Sequence, residues 1–224
     1  MNLKRFDAVF IVTPWILDIV KNKWGVSKSS LLTNFPKVNV NYHLSYEEYL
    51  RRENVLCYEG TIYETSRQEK VFEALERLPE VHYILAGKID EGYMWIKKLP
   101  YWKNVEFIDG FTVKDLKNIF SKSTMANVFR DFGNNDGSLG VIKIFESMEA
   151  ALPVLLADVP LYREMVEKYQ CGICVDPNEI QQIENAIRFL IENKEEAYKM
   201  GQNGRRAVIE EYNWENQARN YIKI

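Results

Sequence analysis

The sequence predicts an α/β protein with a doubly wound parallel sheet. Apolar runs of strand length alternate with longer segments of helical period along the whole chain. Several of the short runs, such as VHYILAG from Val81 and PVLLA from Pro153, are apolar at consecutive positions, which is typical of strands buried on both faces. Strands of this kind that alternate with helices are expected to form a parallel sheet covered by helices on both sides.

The first elements precede a polar segment. Strand DAVFIVT from Asp7, helix PWILDIVKNKW from Pro14 and strand SLLTNF from Ser30 are followed by a stretch rich in Asn and polar residues and by a short helix, SYEEYLRR from Ser45. A strand-helix-strand unit is too small to bury a core alone. We therefore expect residues 1–35 to be the tail of a preceding domain and residues 36–224 to be the main domain. The alternative is that these elements add one unit to the main sheet.

The main domain is predicted to repeat strand and helix regularly. The expected strands are VLCYEG from Val55, VHYILAG from Val81, VEFIDG from Val105, MANVF from Met125, PVLLA from Pro153 and GICV from Gly172. The expected helices lie near residues 67–78, 91–98, 113–120 and 161–169, around Lys143 and Glu146, and from 179 to the end.

A glycine-rich loop, GNNDGSLG at 133–140, leads into the helix that carries Lys143 and Glu146. Free N–H groups at a helix N-terminus attract anions, an ammonium adds a full charge, and a carboxylate can accept hydrogen bonds from two hydroxyl groups. The segment therefore indicates a site for phosphate plus diol, with Gly140 contributing backbone. The alternative is a surface Lys-Glu pair at i, i+3, worth about 0.2–0.5 kcal/mol.

Ligands of such sheets bind at the carboxyl ends of the strands, here after Tyr58, Ala86, Ile108 and Phe129. Gly60 ends the first strand of the main domain and Arg67 lies at the next helix start, so the pair could admit and bind a phosphate. A tight turn with a solvated charge is the alternative. Neither G-x-G-x-x-G nor G-x-x-x-x-G-K-[ST] occurs, so a dinucleotide fingerprint or P-loop is not supported.

Composition excludes several classes of function. The formal net charge of -3 argues against nucleic-acid binding. No apolar run reaches the roughly 20 residues of a membrane span, and three cysteines form no disulfide framework, so a cytoplasmic location without an integral membrane segment is expected. Two histidines are too few for a His-based metal centre or triad, so no metal site is predicted.

Taken together, these segments resemble family 4 glycosyltransferases of the GT-B fold, in their Rossmann-like C-terminal domain, which binds a nucleotide-sugar. The resemblance covers nearly the whole chain: the glycine turn in VLCYEGTIYETSRQEKVFEAL, the strand and turn in NVEFIDGFTVKDLKNIF, the helix and strand in KIFESMEAALPVLLADVPLYREMV, and YNWENQ from Tyr212. Residues 1–35 resemble the end of the family's N-terminal acceptor domain.

The resemblance implies a retaining hexosyltransferase that uses a UDP- or GDP-sugar and needs no further cofactor. Glu146 matches the second of two glutamates separated by seven residues and would hold ribose hydroxyls, while Lys143 and Arg67 would face the diphosphate, with Ser66 as the other candidate for the basic position. Ser138 stands where the first glutamate is usual.

The same resemblance implies a glycan or lipid-linked acceptor, a role in polysaccharide or glycoconjugate biosynthesis, and a peripheral position at the inner membrane face. It also implies that the missing acceptor domain is supplied in a longer protein or by a separate subunit. A non-catalytic nucleotide-binding or assembly subunit of the same fold is the alternative, which Ser138 favours.

Overall fold

The computed structural model describes residues 3–39, 43–130 and 141–222. Its N-terminal unit is a two-stranded parallel sheet of β1 (Val9–Ile11) and β2 (Ser29–Leu31), with Val9 opposite Ser29. Helix α1 (Pro14–Asp18) connects the strands and continues as a π-helical turn over Ile19–Lys23. The observed β1 is shorter than the predicted strand from Asp7.

The main sheet contains six strands within the described residues. These are β3 (Val55–Glu59), β4 (His82–Ala86), β5 (Val105–Ile108), β6 (Met125–Val128), β7 (Val154–Ala157) and β8 (Gly172–Val175). Their order is β5-β4-β3-β6-β7-β8 and every neighbouring pair is parallel. This confirms the predicted doubly wound parallel sheet.

The helices that follow the predicted pattern are α2 (Tyr46–Arg51), α3 (Gln68–Leu75), α4 (Val113–Lys122), α5 (Ile142–Glu149), α6 (Pro160–Tyr169), α7 (Ile180–Glu192), α8 (Lys194–Glu210) and α9 (Trp214–Ile222). The segment Glu91–Lys98 is a 3₁₀ helix, and a second 3₁₀ helix, Pro100–Asn104, follows it. A glycine in its first turn and a proline soon after its end both disfavour a regular α-helix.

Alternation along the strands places the core on both faces of the sheet. Leu56 and Tyr58 of β3 pack on the face covered by α3 and α7, whereas Val55 and Cys57 pack on the face covered by α4. Because successive side chains point to opposite faces, Glu59 follows Cys57 onto the α4 side. Helices α5 and α6 cover β7 on that same side.

The segment between the two sheets packs on the main domain. Phe35 is buried beside Phe145 of α5 and Tyr212, with ring centroids 4.8 and 5.4 Å away. Tyr212 begins the YNWENQ segment that the sequence singles out. The division into residues 1–35 and 36–224 stays a prediction.

Candidate functional site

The order of the strands creates a crevice between β3 and β6. The chain moves outward from β3 through β4 to β5, and then returns to the other side of β3 as β6. Ligands of open parallel sheets bind at the carboxyl ends of the strands at such a reversal. Of the four loops predicted as candidates, those after Tyr58 and Phe129 lie at this point.

A cavity of about 180 Å³ occupies the crevice. It is lined by the end of β3, the turn before α3, the end of β6 and the start of α5: Tyr58, Thr61, Tyr63, Thr65, Ser66, Val128, Phe129, Arg130, Val141, Ile142 and Lys143. Larger clefts of about 440 and 510 Å³ are lined in part by residues that precede or begin β4, at the opposite end of the sheet. We take the smaller cavity as the candidate site because it lies at the strand reversal and contains Lys143.

The side chain of Lys143 is held at the carboxyl end of β3. Its Nζ donates a hydrogen bond to the Tyr58 hydroxyl at 3.0 Å and lies 4.3 Å from the centre of the Tyr58 ring. The Tyr58 hydroxyl in turn donates to the carbonyl of Thr61 at 2.9 Å. The lysine thereby connects α5 to the glycine turn after β3.

Gly60 makes room for this lysine. A Cβ atom at Gly60 would lie 2.6 Å from Lys143 Nζ and 2.9 Å from its Cε, closer than real Cβ contacts come. The backbone φ of +109° at Gly60 also suits glycine. The close approach expected of Gly60 is thus made by the side chain of Lys143.

A second glycine completes the turn. A Cβ at Gly87, which follows β4, would lie 1.8 Å from the Gly60 carbonyl oxygen. Gly60 N–H donates to the Ala86 carbonyl at 3.0 Å, so the two turns are joined by backbone contact. Gly87 is the last residue of the predicted strand VHYILAG, and no role in the site was predicted for it.

Two carboxyl groups lie near the ammonium of Lys143. Burial raises the pKa of Glu59 to about 7, Lys143 opposes that rise and Glu146 adds to it. Burial and Glu149 raise the pKa of Glu146, against the influence of Lys143. Glu59 is 6% exposed, and its Oε1 has no hydrogen-bond partner among the described residues. No role was predicted for Glu59, which lies just before Gly60 in the predicted strand VLCYEG and is the last residue of the observed β3.

Glu146 lies on α5, one turn after Lys143, and is half-buried. It does not line the cavity itself. Its charge nevertheless acts on Glu59, whose pKa it raises, and Lys143 acts on both carboxyl groups in the opposite direction.

Arg67 sits in the turn before α3, beside the cavity rather than in its lining. Its backbone is left-handed, with φ of +49°, and its Nη1 lies 4.0 Å from Glu69 Oε1. Ser66, the alternative candidate, does line the cavity and donates its hydroxyl to the Tyr63 carbonyl at 2.6 Å. Strained backbone of this kind persists where the surroundings enforce it.

A buried polar network anchors that turn to the sheet. The Tyr83 hydroxyl of β4 donates to Gln68 Oε1, and Gln68 Nε2 donates to the Ser66 carbonyl at 3.0 Å. Asn127 of β6 lies 3.3 Å from the same hydroxyl. All three side chains are buried, so β4 and β6 together fix where the turn begins.

Two helix N-termini meet the crevice, and at α3 one backbone N–H, that of Glu69, already donates to the Tyr93 hydroxyl at 3.1 Å. Neither Arg67 at the start of α3 nor Val141 at the start of α5 caps its helix with a side chain. Uncapped N–H groups and the positive end of the helix dipole favour an anion. Gly140 and Ser138, both expected at this site, lie outside the described residues.

Comparison with known proteins agrees with this geometry. Residues 47–207, from α2 into α8, match the family described as glycosyl transferases group 1. The chain belongs to the group 1 glycosyl transferases. The matched segment contains the cavity, Lys143 and Glu146.

The fold of this glycosyl transferase is that of GT-B enzymes, as expected from the sequence. It resembles sucrose-phosphate synthase from Thermosynechococcus elongatus, with 19% identity, a TM-score of 0.73, and coverage of 99% of this chain and 58% of that one. It resembles HepE from Anabaena, solved with UDP and glucose, with 18% identity, a TM-score of 0.74, and coverage of 98% and 63%. A TarM mutant from S. aureus, in a complex that includes UDP, shares 16% identity with a TM-score of 0.75 and coverage of 99% and 44%.

The glycosyl transferase chain spans 58%, 63% and 44% of the length of these three structures. No curated protein sequence matches it. Among the helices of the described segments, none is both long and apolar enough to cross a bilayer. Within those segments, no three His, Cys, Asp or Glu side chains are grouped as ligands for one metal ion.

Proposed function

We propose that this chain is the donor-binding half of a retaining glycosyltransferase that uses a nucleoside diphosphate sugar. The observation that carries the proposal is Lys143, whose side chain lines a cavity at the strand reversal together with the start of α5, a helix whose N-cap residue makes no side-chain cap. The family match supports glycosyl transfer. HepE and TarM were solved with UDP, which makes UDP the first ligand to test.

In this proposal the cavity stabilises the leaving diphosphate. When the bond between the sugar's anomeric carbon and the β-phosphate oxygen breaks, its electron pair stays on the diphosphate. Lys143, the N–H groups at the start of α5, the backbone of Gly140 and Arg67 would face that growing charge. Groups already in place stabilise it more than they stabilise the ground state.

Glu146 would orient the nucleotide in this scheme. A carboxylate can accept hydrogen bonds from both ribose hydroxyls, which fixes the position of the diphosphate relative to Lys143. The glycan or lipid-linked acceptor, and a role in polysaccharide or glycoconjugate biosynthesis, belong to the same proposal.

Thermal unfolding with ligand tests donor binding. UDP at about 100 times its Kd should stabilise the fold by about 2.7 kcal/mol, which raises Tm by roughly 5–10 °C in a chain of this size. Glu146→Ala should abolish the rise. Glu164→Ala is the matched control, because Glu164 is exposed on α6 and does not line the cavity.

The same measurement with GDP in place of UDP identifies which nucleotide base the site prefers. If neither UDP nor GDP at millimolar concentration shifts Tm, or if Glu146→Ala keeps the full shift, the proposal is wrong.

A non-catalytic nucleotide-binding or assembly subunit is the second candidate. Ser138 favours it, because a glutamate is usual at this position in the family that the sequence resembles. This candidate predicts a UDP-induced Tm rise without release of UDP from UDP-sugar, even after an acceptor domain is added. Release of UDP under those conditions would exclude it.

A further inference from the structure

The ammonium of Lys143 is anchored by an uncharged residue. Among the described residues its hydrogen bond goes to the Tyr58 hydroxyl, and no carboxylate forms an ion pair with it. Glu59 and Glu146 influence it from further away. A carboxylate partner would compete with a diphosphate for the positive charge, whereas a hydroxyl and an aromatic ring leave that charge in place.

Tyr58 makes two different contacts with Lys143. The ring lies under the ammonium, and a cation-π contact contributes about 0.5–2 kcal/mol, depending on exposure. The hydroxyl has given its hydrogen to the Thr61 carbonyl, so the oxygen can only accept from Lys143. Tyr58 itself is 2% exposed and is packed in the core with Leu56.

Gly60 restricts the position of the Lys143 side chain from the other side. The lysine chain passes over the bare Cα of Gly60, where a Cβ would overlap both Cε and Nζ. The ring below and the glycine beside it define one path for a side chain that otherwise has about 2 kcal/mol of rotamer entropy.

We propose that Tyr58 is a positioning residue that aims the Lys143 ammonium at the diphosphate of the donor. The inference rests on the proposed function and adds a residue to it. Tyr58 also lines the cavity, but in this role it acts through Lys143, and the Lys143→Met background separates this role from direct contact with the ligand. Because the Lys143 side chain is already ordered before the ligand binds, ligand binding does not have to restrict its rotamers further.

A double-mutant cycle with UDP tests the inference. We expect Tyr58→Phe to weaken UDP binding about 2- to 10-fold, which corresponds to the loss of one hydrogen bond. Tyr58→Leu, which also removes the ring, should weaken it further. In the background of Lys143→Met, both Tyr58 substitutions should leave UDP affinity unchanged, because the group they position is gone.

Uridine is the second probe, because a substitution that disturbs the site in general would also change the affinity for uridine. It has no phosphate, so its affinity should be equal in the wild type and in Tyr58→Phe. Tyr46→Phe is the matched control for hydroxyl loss, since Tyr46 lies on α2 and packs on Tyr198 outside the cavity. Unfolding midpoints without ligand are measured for every variant.

The outcomes separate the two proposals. Equal UDP affinity in the wild type and in both Tyr58 variants overturns the inference, and so does an equal loss with and without Lys143 or an equal loss for uridine. A wild-type chain that does not bind UDP or GDP at all overturns the proposed function, and the inference with it.

Discussion

Glu59 is a buried acid at the end of the strand that supports the site. The residue is 6% exposed, and its Oε1 lacks a hydrogen-bond partner within the described residues. Burial dominates and raises the pKa from an ordinary value of 4.5 to about 7, although Lys143 favours the charged form. The folded chain therefore binds a proton at Glu59 that the unfolded chain has already released between about pH 4.5 and 7.

This difference predicts how stability depends on pH. Because the folded pKa is the higher one, the favourable contribution of protonated Glu59 is complete below pH 4.5 and is lost as pH rises through 7. Glu59→Gln cannot ionise, so relative to the wild type it should gain roughly 1–3 kcal/mol in the free energy of unfolding between pH 4.5 and 8. Urea titrations at several pH values measure the gain.

Glu164→Gln on the surface of α6 is the control for the loss of one carboxylate, and its unfolding curve should follow that of the wild type. A constant difference between Glu59→Gln and the wild type across this pH range would contradict the assignment of the shift to Glu59.

Local signals located most of the elements. The apolar runs of the main domain became its strands, and the segments of helical period became its helices. The structure adds a capping box of Thr112 and Asp115 at the start of α4 and a cap by Ser45 at the start of α2. No local pattern in the sequence indicated which elements pack against each other. Helix α8 packs closely on the end of α5 only because Gly201 has no side chain: a Cβ there would lie 2.1 Å from the Ala151 carbonyl oxygen.

Gly201 and Gly204 of α8 should differ in how much stability the fold loses when each is replaced by alanine. Gly201→Ala should destabilise the fold by about 1–2 kcal/mol, because backbone must move and an overpacking cost of up to about 3 kcal/mol exceeds the roughly 1 kcal/mol that Ala gains in a helix. Gly204→Ala is the matched comparison on the same helix. Its Cβ would meet Met148 Cγ at 3.1 Å and Cys171 Cβ at 3.3 Å.

Because Met148 can adjust, Gly204→Ala should change stability by less than about 1 kcal/mol. Urea unfolding of both variants measures the difference. Equal costs at the two positions would show that contact with the Ala151 backbone does not control the packing of α8.

At the scale of the whole molecule, the strands of the described residues form two separate sheets. Strands β1 and β2 pair with each other, and the six main strands form their own sheet. Phe10 of β1 packs against Tyr221 of α9, with ring centroids 4.9 Å apart, so the C-terminal helix reaches back to the N-terminal unit. The residues that line the cavity all lie between Tyr58 and Lys143, in the main domain.

We predict that residues 36–224 fold without residues 1–35, because the six-stranded sheet and the residues that line the cavity lie within them, although this cut also removes the buried Phe35. A chain of residues 36–224 should unfold in one cooperative step, with an m value lower than that of the full chain in proportion to the lost surface. It should keep the Tm rise with UDP, since the cavity is intact. The full chain is the control, and loss of cooperative unfolding in the shorter chain would contradict the proposed division at 35 and 36.

Apolar periodicity and helix spacing are local properties, so the amino-acid sequence alone predicts the doubly wound sheet, the order of its elements along the chain and the helix that carries Lys143 and Glu146. Only the tertiary structure placed Lys143 on Tyr58 and over Gly60, brought Glu59 into the same cluster and set Gly87 against the Gly60 carbonyl. These contacts join β3 to α5 and β4, which are far apart in the chain. Their charges and close approaches exist only after the sheet has brought the ends of the strands together.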